Sequence, residues 1–400
     1  MEVKQYRKVG ILTQPLHNNY GGLLQAYALQ KTIKSFGHDA WIINRKYNRR
    51  GLLKELKSYA EVFIQGHILN NKDFVIQYPT RKEKLKIGKH TAYFTDKYIS
   101  PITSLIDSDD SMYMLQKEDF DAYVVGSDQV WRPKYSPNIT NFFLDFLDDK
   151  KKIKRIAYAA SFGVSDWEFT RQETEKCSTL IKKFDTVSVR ETTGVALCYE
   201  NLGVEAIRVL DPTLLLEPQD YSMLIQQENE PKIEGTLMTY VLDRDAEKDC
   251  FIHNVANELN LTLLSEMQIK PFTIENRKEI QNCIFPPITK WLRGIRDAEF
   301  VITDSFHGCA LSILFNKPFL AIGNERRGIT RFESLLQLFG LEERLITDIT
   351  NIKRKLILET IDWRKVNDIL AYERAKSIKF LQDELKLDSS TIHQPIETIQ

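Results

Sequence analysis

Residues 299–320 constrain the fold most, because they predict a strand, a polar turn, a helix and a second strand in succession. Phe300–Thr303 is a short apolar run rich in β-branched residues, which is typical of a buried strand. Residues 309–315 continue as a mostly apolar helix, and Phe319–Ile322 has the pattern of the next strand. This order predicts a parallel βαβ unit and therefore an α/β protein.

His307 lies in the predicted turn, where the strand ends and the helix begins. Asp304 and Ser305 precede it, and either is suited to cap a helix N-terminus. Ligands of open α/β sheets bind at this edge, and a helix N-terminus favours anions. A lone histidine at such a place can also cap or pack inside a turn. The agreement of strand, Asp-Ser pair, His-Gly and helix favours a site.

The beginning of the chain predicts a second βαβ unit. Residues 9–13 and 40–43 have strand patterns, and residues 23–36 carry apolar side chains on a broad helical face. Gly21 and Gly22 precede this helix and allow the backbone to approach a ligand. A glycine pair is also common in tight turns without any ligand. The pair is not a Gly-x-Gly-x-x-Gly fingerprint, which argues against a dinucleotide site.

Four further strands, residues 122–125, 156–160, 186–189 and 207–210, each end in polar residues or glycines. The carboxyl ends of parallel strands meet at one sheet edge, so these residues predict a ligand crevice. Ser127, Asp128 and Trp131 follow the first of these strands, and Arg190 follows the third. Asp211, before Pro212, is interpreted as fixing the domain boundary. Any single Asp or Ser at such a place can instead cap a helix.

A chain of 400 residues is too long for one core, which predicts two domains. We expect an N-terminal Rossmann-like domain at residues 1–212, with an insertion of helices and loops around 45–118. A C-terminal Rossmann-like domain follows at 213–360, then an amphipathic helix at 361–386 and a polar tail at 387–400. Two Rossmann-like domains that face a cleft are the GT-B architecture of many glycosyltransferases, an analogy from fold alone.

Composition excludes several classes of protein. Lys+Arg and Asp+Glu both total 55, which gives no argument for nucleic acid as a partner. Five cysteines without a Cys-x-x-Cys pair argue against a disulfide framework and a structural zinc site. No apolar run approaches the roughly 20 residues of a membrane span, and no signal-peptide core follows Met1. We therefore expect a cytoplasmic protein. The basic segment 45–57 fits an anionic membrane surface or a solvated helix.

Six stretches in a fixed order resemble the polysaccharide pyruvyltransferase family, in the branch with a late Ser-Phe-His-Gly motif. They are Asn19-Tyr-Gly-Gly-Leu-Leu-Gln-Ala-Tyr-Ala-Leu, Val125-Gly-Ser-Asp-Gln-Val-Trp, Ala157-Tyr-Ala-Ala-Ser-Phe-Gly, Ser188-Val-Arg-Glu, Val209-Leu-Asp-Pro-Thr and Val301-Ile-Thr-Asp-Ser-Phe-His-Gly. Each motif alone is weak, but their shared order makes the resemblance fairly specific. It implies transfer of a pyruvyl group from phosphoenolpyruvate to two hydroxyls of a sugar. The product is a cyclic ketal on a surface polysaccharide such as a capsule.

The resemblance also implies donor-binding roles for Arg190 and His307, with Gly21 and Gly22 at the helix N-terminus. Many members carry Arg-Leu-His in the late motif, whereas this chain has Ser305 at the place of that arginine. We therefore expect another cation near the donor. The candidates are Arg326, Arg327 and Arg331, which follow the next predicted strand.

The remaining roles concern proton transfer and the acceptor. His307 is the candidate for moving a proton or holding the donor phosphate, and Asp128 is the candidate base for a sugar hydroxyl. Ser127, Asp128 and Trp131 are the expected acceptor contacts. No metal or cofactor is expected, and the acceptor is free, nucleotide-linked or lipid-linked. Two rivals remain: a sugar-nucleotide glycosyltransferase, and a non-catalytic assembly protein on a membrane surface.

Overall fold

The computed structural model describes residues 6–48, 79–273, 275–323, 328–350, 352 and 354–387. Arg326, Arg327 and residues 49–57 of the basic segment lie outside these ranges. The first sheet is parallel, with the order β2-β1-β3-β4-β5-β6. Its strands are β1 (Lys8–Leu12), β2 (Asp39–Ile42), β3 (Ala122–Val125), β4 (Lys154–Ala160), β5 (Thr186–Val189) and β6 (Ile207–Arg208).

The second sheet is also parallel, with the order β11-β10-β9-β7-β8. Its strands are β7 (Thr236–Tyr240), β8 (Thr262–Ser265), β9 (Phe300–Thr303), β10 (Phe319–Ile322) and β11 (Leu345–Ile346). β3, β7, β9 and β10 are buried along their whole length, as expected for strands covered on both faces. Two doubly wound units are therefore present, as predicted.

Helices connect the strands, and several begin at residues that the sequence marks as caps. Asn19 accepts a hydrogen bond from the Gly22 N–H at the start of the first helix, and Thr170 forms a capping box with Glu173. The helices are α1 (Tyr20–Ser35), α2 (Arg81–Ile87), α3 (Lys89–Tyr98), α4 (Asp109–Tyr113), α5 (Arg171–Ile181), α6 (Thr192–Leu197), α7 (Pro218–Gln227), α8 (Ala246–Leu259), α9 (Ile288–Asp297), α10 (Phe306–Leu314), α11 (Thr330–Phe339), α12 (Arg354–Leu358) and α13 (Trp363–Leu385).

The predicted insertion at 45–118 contains α2, α3 and α4 among its described residues. Eight of the other strands correspond to the segments named in the sequence analysis, and the apolar patterns of residues 236–242 and 262–265 predict β7 and β8. β11, which is two residues long, was not predicted. In the part of the chain that the structure describes, no helix is both long enough and apolar enough to span a bilayer.

The N-terminal end of α1 joins the two units. The Tyr20 ring stacks on Tyr240 at 6.1 Å and lies 5.5 Å from Trp291, and its hydroxyl donates to the Pro286 carbonyl at 2.6 Å. Burial raises the pKa of Tyr20, so this hydroxyl stays protonated and remains a donor. The contact holds the start of α1 against the end of β7.

α13 returns from the second unit to the first. The buried Ser377 hydroxyl accepts a hydrogen bond from the Leu210 N–H at 3.0 Å. Arg374 donates to the Leu214 carbonyl at 2.8 Å, and Arg7 donates to the Leu385 carbonyl at 3.0 Å. The last helix therefore belongs structurally to both units.

Candidate active site

The two sheets bring their topological switch points together. In the first sheet, β1 lies between β2 and β3, so the next strand of the chain is added on one side of β1 and a later strand on the other. In the second sheet, β7 lies between β8 and β9 in the same way. Crevices at such points are where α/β sheets bind ligands. The loops after β1, β3, β7 and β9 line one cavity of about 260 Å³. Its lining residues are Gln14, His17, Asn19, Tyr47, Asp128, Gln129, Tyr135, Leu242, Asp304, Ser305, Phe306, His307 and Arg331.

His307 lies in the first turn of α10 and packs directly against Gly21 of α1. A Cβ atom at position 21 would lie 2.0 Å from His307 Nδ1, so only glycine leaves room for the imidazole. The sequence analysis assigned Gly21 to the approach of a donor. Its observed neighbour is instead His307. Gly22 faces Asn19, whose Nδ2 atom would lie 3.1 Å from an added Cβ.

Two helix N-termini point to the same cavity. Asn19 caps α1 and lines the cavity, and α10 begins with the lining residues Phe306 and His307. The Ser305 side chain occupies the N-cap of α10 without making a capping hydrogen bond. The N-terminus of α10, which no side chain caps, and the dipoles of both helices therefore favour an anion here.

Arg190 is buried beside the cavity and bridges residues from three loops. Its Nη1 atom donates to Asp211 Oδ2 at 2.7 Å, and its Nη2 atom lies 3.6 Å from Asp128 Oδ1. The guanidinium also lies 4.2 Å from the centre of the Phe306 ring. Burial alone lowers the pKa of Arg190, but Asp211, Asp128 and Glu191 together raise it. Arg190 is therefore fully charged, and its buried Nε and Nη2 atoms have no hydrogen-bond partner.

Asp211 connects Arg190 with His307. Its Oδ2 atom lies 3.7 Å from His307 Nε2, an atom that is buried without a hydrogen-bond partner. Burial alone raises the pKa of Asp211, but His307 and Arg190 outweigh it and hold that pKa well below its usual range. Asp211 also caps the turn before Thr213, as its place at a strand end indicated. The interpretation of Asp211 as a residue that fixes the domain boundary did not include its ionic contacts with Arg190 and His307.

Arg331, on α11, is the second guanidinium of the site. It is buried and lines the cavity. Burial, followed by the positive charge of Arg190, lowers the pKa of Arg331 to about 10. The side chain is still cationic at neutral pH. Of the three arginines considered from sequence, Arg331 is the one that the structure describes, and it lies where an anion would relieve this unfavourable charge.

Two predicted acceptor contacts lie in the core. Trp131 is 0 % exposed, stacks on Phe143 at 5.2 Å, and donates from Nε1 to the Phe142 carbonyl. The Ser127 hydroxyl is equally buried and donates to the Ala159 carbonyl at 2.8 Å. An acceptor contact at Trp131 or Ser127 is not compatible with this burial, because neither side chain reaches the cavity. Asp128, from the same loop, does line it.

Glu191, which the sequence analysis did not assign, organises the loop after β4. Its Oε1 atom accepts hydrogen bonds from the Ser161 hydroxyl and from the N–H groups of Phe162 and Gly163. The Gly163 carbonyl in turn packs so closely on Gly328 that a Cβ there would lie 1.6 Å away. Glu191 therefore supports the contact between the units that leads to Arg331. In the sequence, the position of Glu191 directly after Arg190 was the one indication that it belongs to the site.

His17 is a second residue that the sequence analysis did not assign. It lines the cavity from the loop after β1, and its side chain is partly exposed to solvent. Partial desolvation by the surrounding protein, followed by the charge of Lys46, lowers the pKa of His17, and Asp128 opposes the shift. The imidazole is therefore neutral at pH 7 and can accept a proton or a hydrogen bond.

Structural comparison shows the fold. The crystal structure of Arabidopsis thaliana UGT89C1 complexed with UDP-L-rhamnose aligns with a TM-score of 0.52 at 10% identity, over 96% of this chain and 100% of that one. The UDP-GlcNAc 2-epimerase from Neisseria meningitidis bound to UDP-GlcNAc aligns with a TM-score of 0.49 at 11% identity, over 94% of this chain and 98% of that one. The architecture is that of the GT-B glycosyltransferases, as predicted. A comparison with curated protein sequences gives no match.

Sequence comparison shows the family. The family model described as polysaccharide pyruvyl transferase matches residues 19–326. This span includes His307, which lines the cavity, and its neighbours Gly21 and Asp211, together with Arg190, which pairs with Asp211. The chain therefore belongs to the polysaccharide pyruvyl transferase family and is a transferase enzyme.

Proposed function

We propose that the protein transfers a pyruvyl group from phosphoenolpyruvate to two hydroxyls of a sugar and closes a cyclic ketal. The observation that carries this proposal is one small cavity lined by Arg331 and by two helix N-termini, with the Arg190 guanidinium packed behind its lining residues Phe306 and Asp128. Phosphoenolpyruvate is a small molecule with a carboxylate and a phosphate, and both groups require cations and oriented N–H donors. Family membership supports the pyruvyl group as the group transferred.

Arg331 takes the place of the guanidinium that many members carry in the late motif. Ser305 removes that charge from α10, and Arg331 returns a cation to the same cavity from α11. The buried Nε and Nη2 atoms of Arg190 make no hydrogen bond, although Glu191 and Asp128 lie within ion-pair distance of them at 3.8 and 3.6 Å. A planar guanidinium suits bidentate contact with a carboxylate or a phosphate. In this proposal, Arg190 and Arg331 together hold the two anionic groups of the donor.

The chemistry requires one proton to be added and two to be removed. The methylene carbon of the donor is protonated, one sugar hydroxyl attacks C2, phosphate leaves, and the second hydroxyl attacks the same carbon. His307 is our candidate for proton transfer at the donor, because its Nε2 atom faces Asp211 and its ring is fixed against Gly21. Asp128 is our candidate base for a sugar hydroxyl, since its side chain lines the cavity. The leaving phosphate takes up the remaining proton.

The first test is thermal unfolding of the purified protein with phosphoenolpyruvate and, separately, with a panel of UDP-sugars. A donor at one hundred times its dissociation constant adds about 2.7 kcal/mol to the free energy of unfolding. Stabilisation by phosphoenolpyruvate, followed by phosphate release and a ketal-sized mass gain in a sugar, supports the proposal. Stabilisation by a UDP-sugar alone would favour the glycosyltransferase alternative.

The Arg331→Ala variant tests the second cation. We expect the affinity for phosphoenolpyruvate to fall at least tenfold, because a charge-assisted contact contributes about 1.5–3 kcal/mol. Arg171→Ala is the matched control, since that side chain is 92% exposed on α5 and lies outside the cavity. Equal donor affinity in the Arg331→Ala variant and the control would remove Arg331 from the site.

A further inference from the structure

The outer side of α2 and the first turn of α3 carry a dense group of cations. Residues 81–89 contain five basic residues and one acidic residue. The acidic one, Glu83, lies 3.0 Å from Arg277, so its charge is already balanced within the protein. The exposed basic side chains are Arg81, Lys82, Lys84, Lys86 and Lys89, and together with Leu85 they form what we call the basic face.

A further cation adjoins the basic face from the second unit. Lys290, on α9, is exposed and lies close enough to His90 of α3 to influence its ionisation. Partial burial lowers the pKa of His90, and the positive charges of Lys89 and Lys290 lower it further. Cations of both units therefore act on the same part of the surface.

The cations of the basic face differ from those of other surface helices in having no acidic partner. On α5, Arg171 lies 2.9 Å from Glu175, and on α13, Lys379 lies 2.6 Å from Asp383. Within the described ranges, no ion pair occurs for any cation of the basic face. Like charges that stand close together repel each other, and an anionic partner removes this repulsion.

Apolar side chains stand among these cations. Leu85 is 65% exposed and shares a helical face with Lys82, because the two lie three residues apart. Tyr93 is 49% exposed and lies one helical turn after Lys89. One exposed leucine is ordinary, but exposed apolar side chains interleaved with lysines are typical of segments that lie in the interface of a lipid bilayer. A nucleic acid would match the charges and would leave Leu85 in water.

The inner sides of α2 and α3 are fixed to the protein close to the cavity. Thr91 of α3 donates a hydrogen bond to Asn18 Oδ1 at 2.6 Å, and the neighbours of Asn18 in the chain, His17 and Asn19, line the cavity. Phe94 is buried, and its ring lies 6.1 Å from that of Tyr27 on α1. The helices that carry the basic face are therefore joined to the loop that forms one side of the cavity.

We propose that the basic face and Lys290 bind the anionic surface of a lipid membrane, with Leu85 and Tyr93 entering the headgroup region. The inference goes beyond the proposed function and does not depend on it. Each lysine or arginine near an anionic membrane contributes about fivefold to the affinity, so six cations give measurable and reversible binding. Because screening by salt weakens such contacts, the attachment weakens as ionic strength rises.

The test measures cosedimentation of the full chain with vesicles of phosphatidylcholine alone and with vesicles in which about a third of the lipid is anionic phosphatidylglycerol. We expect binding to the anionic vesicles only, and a severalfold loss when salt rises from about 0.1 M to about 0.5 M. The triple variant Lys82→Glu/Lys86→Glu/Lys89→Glu is expected to bind at least a hundredfold more weakly, from about fivefold per cation removed. Leu85→Ser keeps every charge and should weaken binding severalfold.

The matched control is Arg171→Glu/Lys182→Glu/Lys379→Glu, which makes the same change in net charge at exposed positions of α5 and α13. The control should bind the vesicles nearly as tightly as the parent protein, and its thermal midpoint should match that of the first triple variant. Equal weakening in the two triple variants would overturn the proposal, as would equal binding to neutral and anionic vesicles or binding to neither. If the first triple variant lost affinity for duplex DNA and kept its affinity for anionic vesicles, the basic face would be a nucleic-acid surface instead.

Discussion

At the scale of single residues, the contact between Gly21 and His307 places the strictest demand on the sequence. The two residues come from helices of different units, yet the imidazole occupies the space where any side chain at position 21 would begin. The Nε2 atom of the ring lies 3.7 Å from Asp211, which in turn pairs with Arg190. The position of the proposed proton-transfer group therefore depends on the absence of one carbon atom.

Gly21→Ala is expected to lower activity about a hundredfold, because an added Cβ displaces the imidazole and a misplacement near 1 Å has about this effect on rate. The free energy of unfolding should change little, since alanine favours a helix over glycine by about 1 kcal/mol and offsets part of the strain. Steady-state kinetics and denaturant unfolding check both statements. In Gly22→Ala the new atom meets only the Asn19 side chain, so we expect a smaller loss. Similar losses in the two variants would contradict the special role of Gly21.

At the scale of elements, α13 holds the two units together through polar contacts with backbone groups. The Ser377 hydroxyl is completely buried and accepts from the Leu210 N–H, just before the loop that carries Asp211. Arg374 reaches the Leu214 carbonyl on the far side of the same loop. α13 thus supports the backbone on both sides of Asp211.

Ser377→Ala is expected to lower the free energy of unfolding by about 1–3 kcal/mol, because the buried Leu210 N–H loses its acceptor. Ser222→Ala is the control, since that hydroxyl only donates to the Pro218 carbonyl within α7, and its loss should stay within about 0.5 kcal/mol. Urea unfolding of the two variants measures the difference. A Ser377→Ala variant as stable as Ser222→Ala would show that the hydrogen bond between Ser377 and Leu210 contributes nothing to the attachment of α13.

At the scale of the whole molecule, one apolar core crosses the boundary between the two units. A single buried cluster contains Val9 and Ile11 of β1 together with Val301 of β9 and Phe319 of β10. Interfaces between domains are often polar and allow independent motion. Here the shared core and the returning α13 couple the stability of the two sheets.

We therefore expect one cooperative unfolding transition. Calorimetry should give equal calorimetric and van't Hoff enthalpies, and far- and near-ultraviolet circular dichroism should give coincident midpoints. Phosphoenolpyruvate should shift this one transition as a whole. Two resolved transitions, with only one shifted by the donor, would show that the units unfold independently.

The sequence predicted ten of the eleven strands because local apolar patterns determine them, and it placed His307 and Arg190 at strand ends for the same reason. β6 and β11 are both two residues long. β6 lies within the mostly apolar run 207–210, whereas Leu345 and Ile346 stand between charged and polar residues and give no such signal. The burial of Trp131 in the core was not predictable, because a tryptophan after a strand has the same local pattern whether it faces a ligand or the core. Arg331 and Asp211 depend on contacts between distant parts of the chain, and so their partners were not predictable from spacing.

The return of α13 has a consequence for how the protein is made in the cell. The ribosome synthesises β1 at the start, but Arg7 meets its partners at Leu385 and Lys386 more than 370 residues later. Until then, the nascent first sheet leaves bare the surface that α13 later covers. A pause in elongation before α13 is synthesised would prolong this exposure, and transiently exposed apolar surface is prone to aggregate.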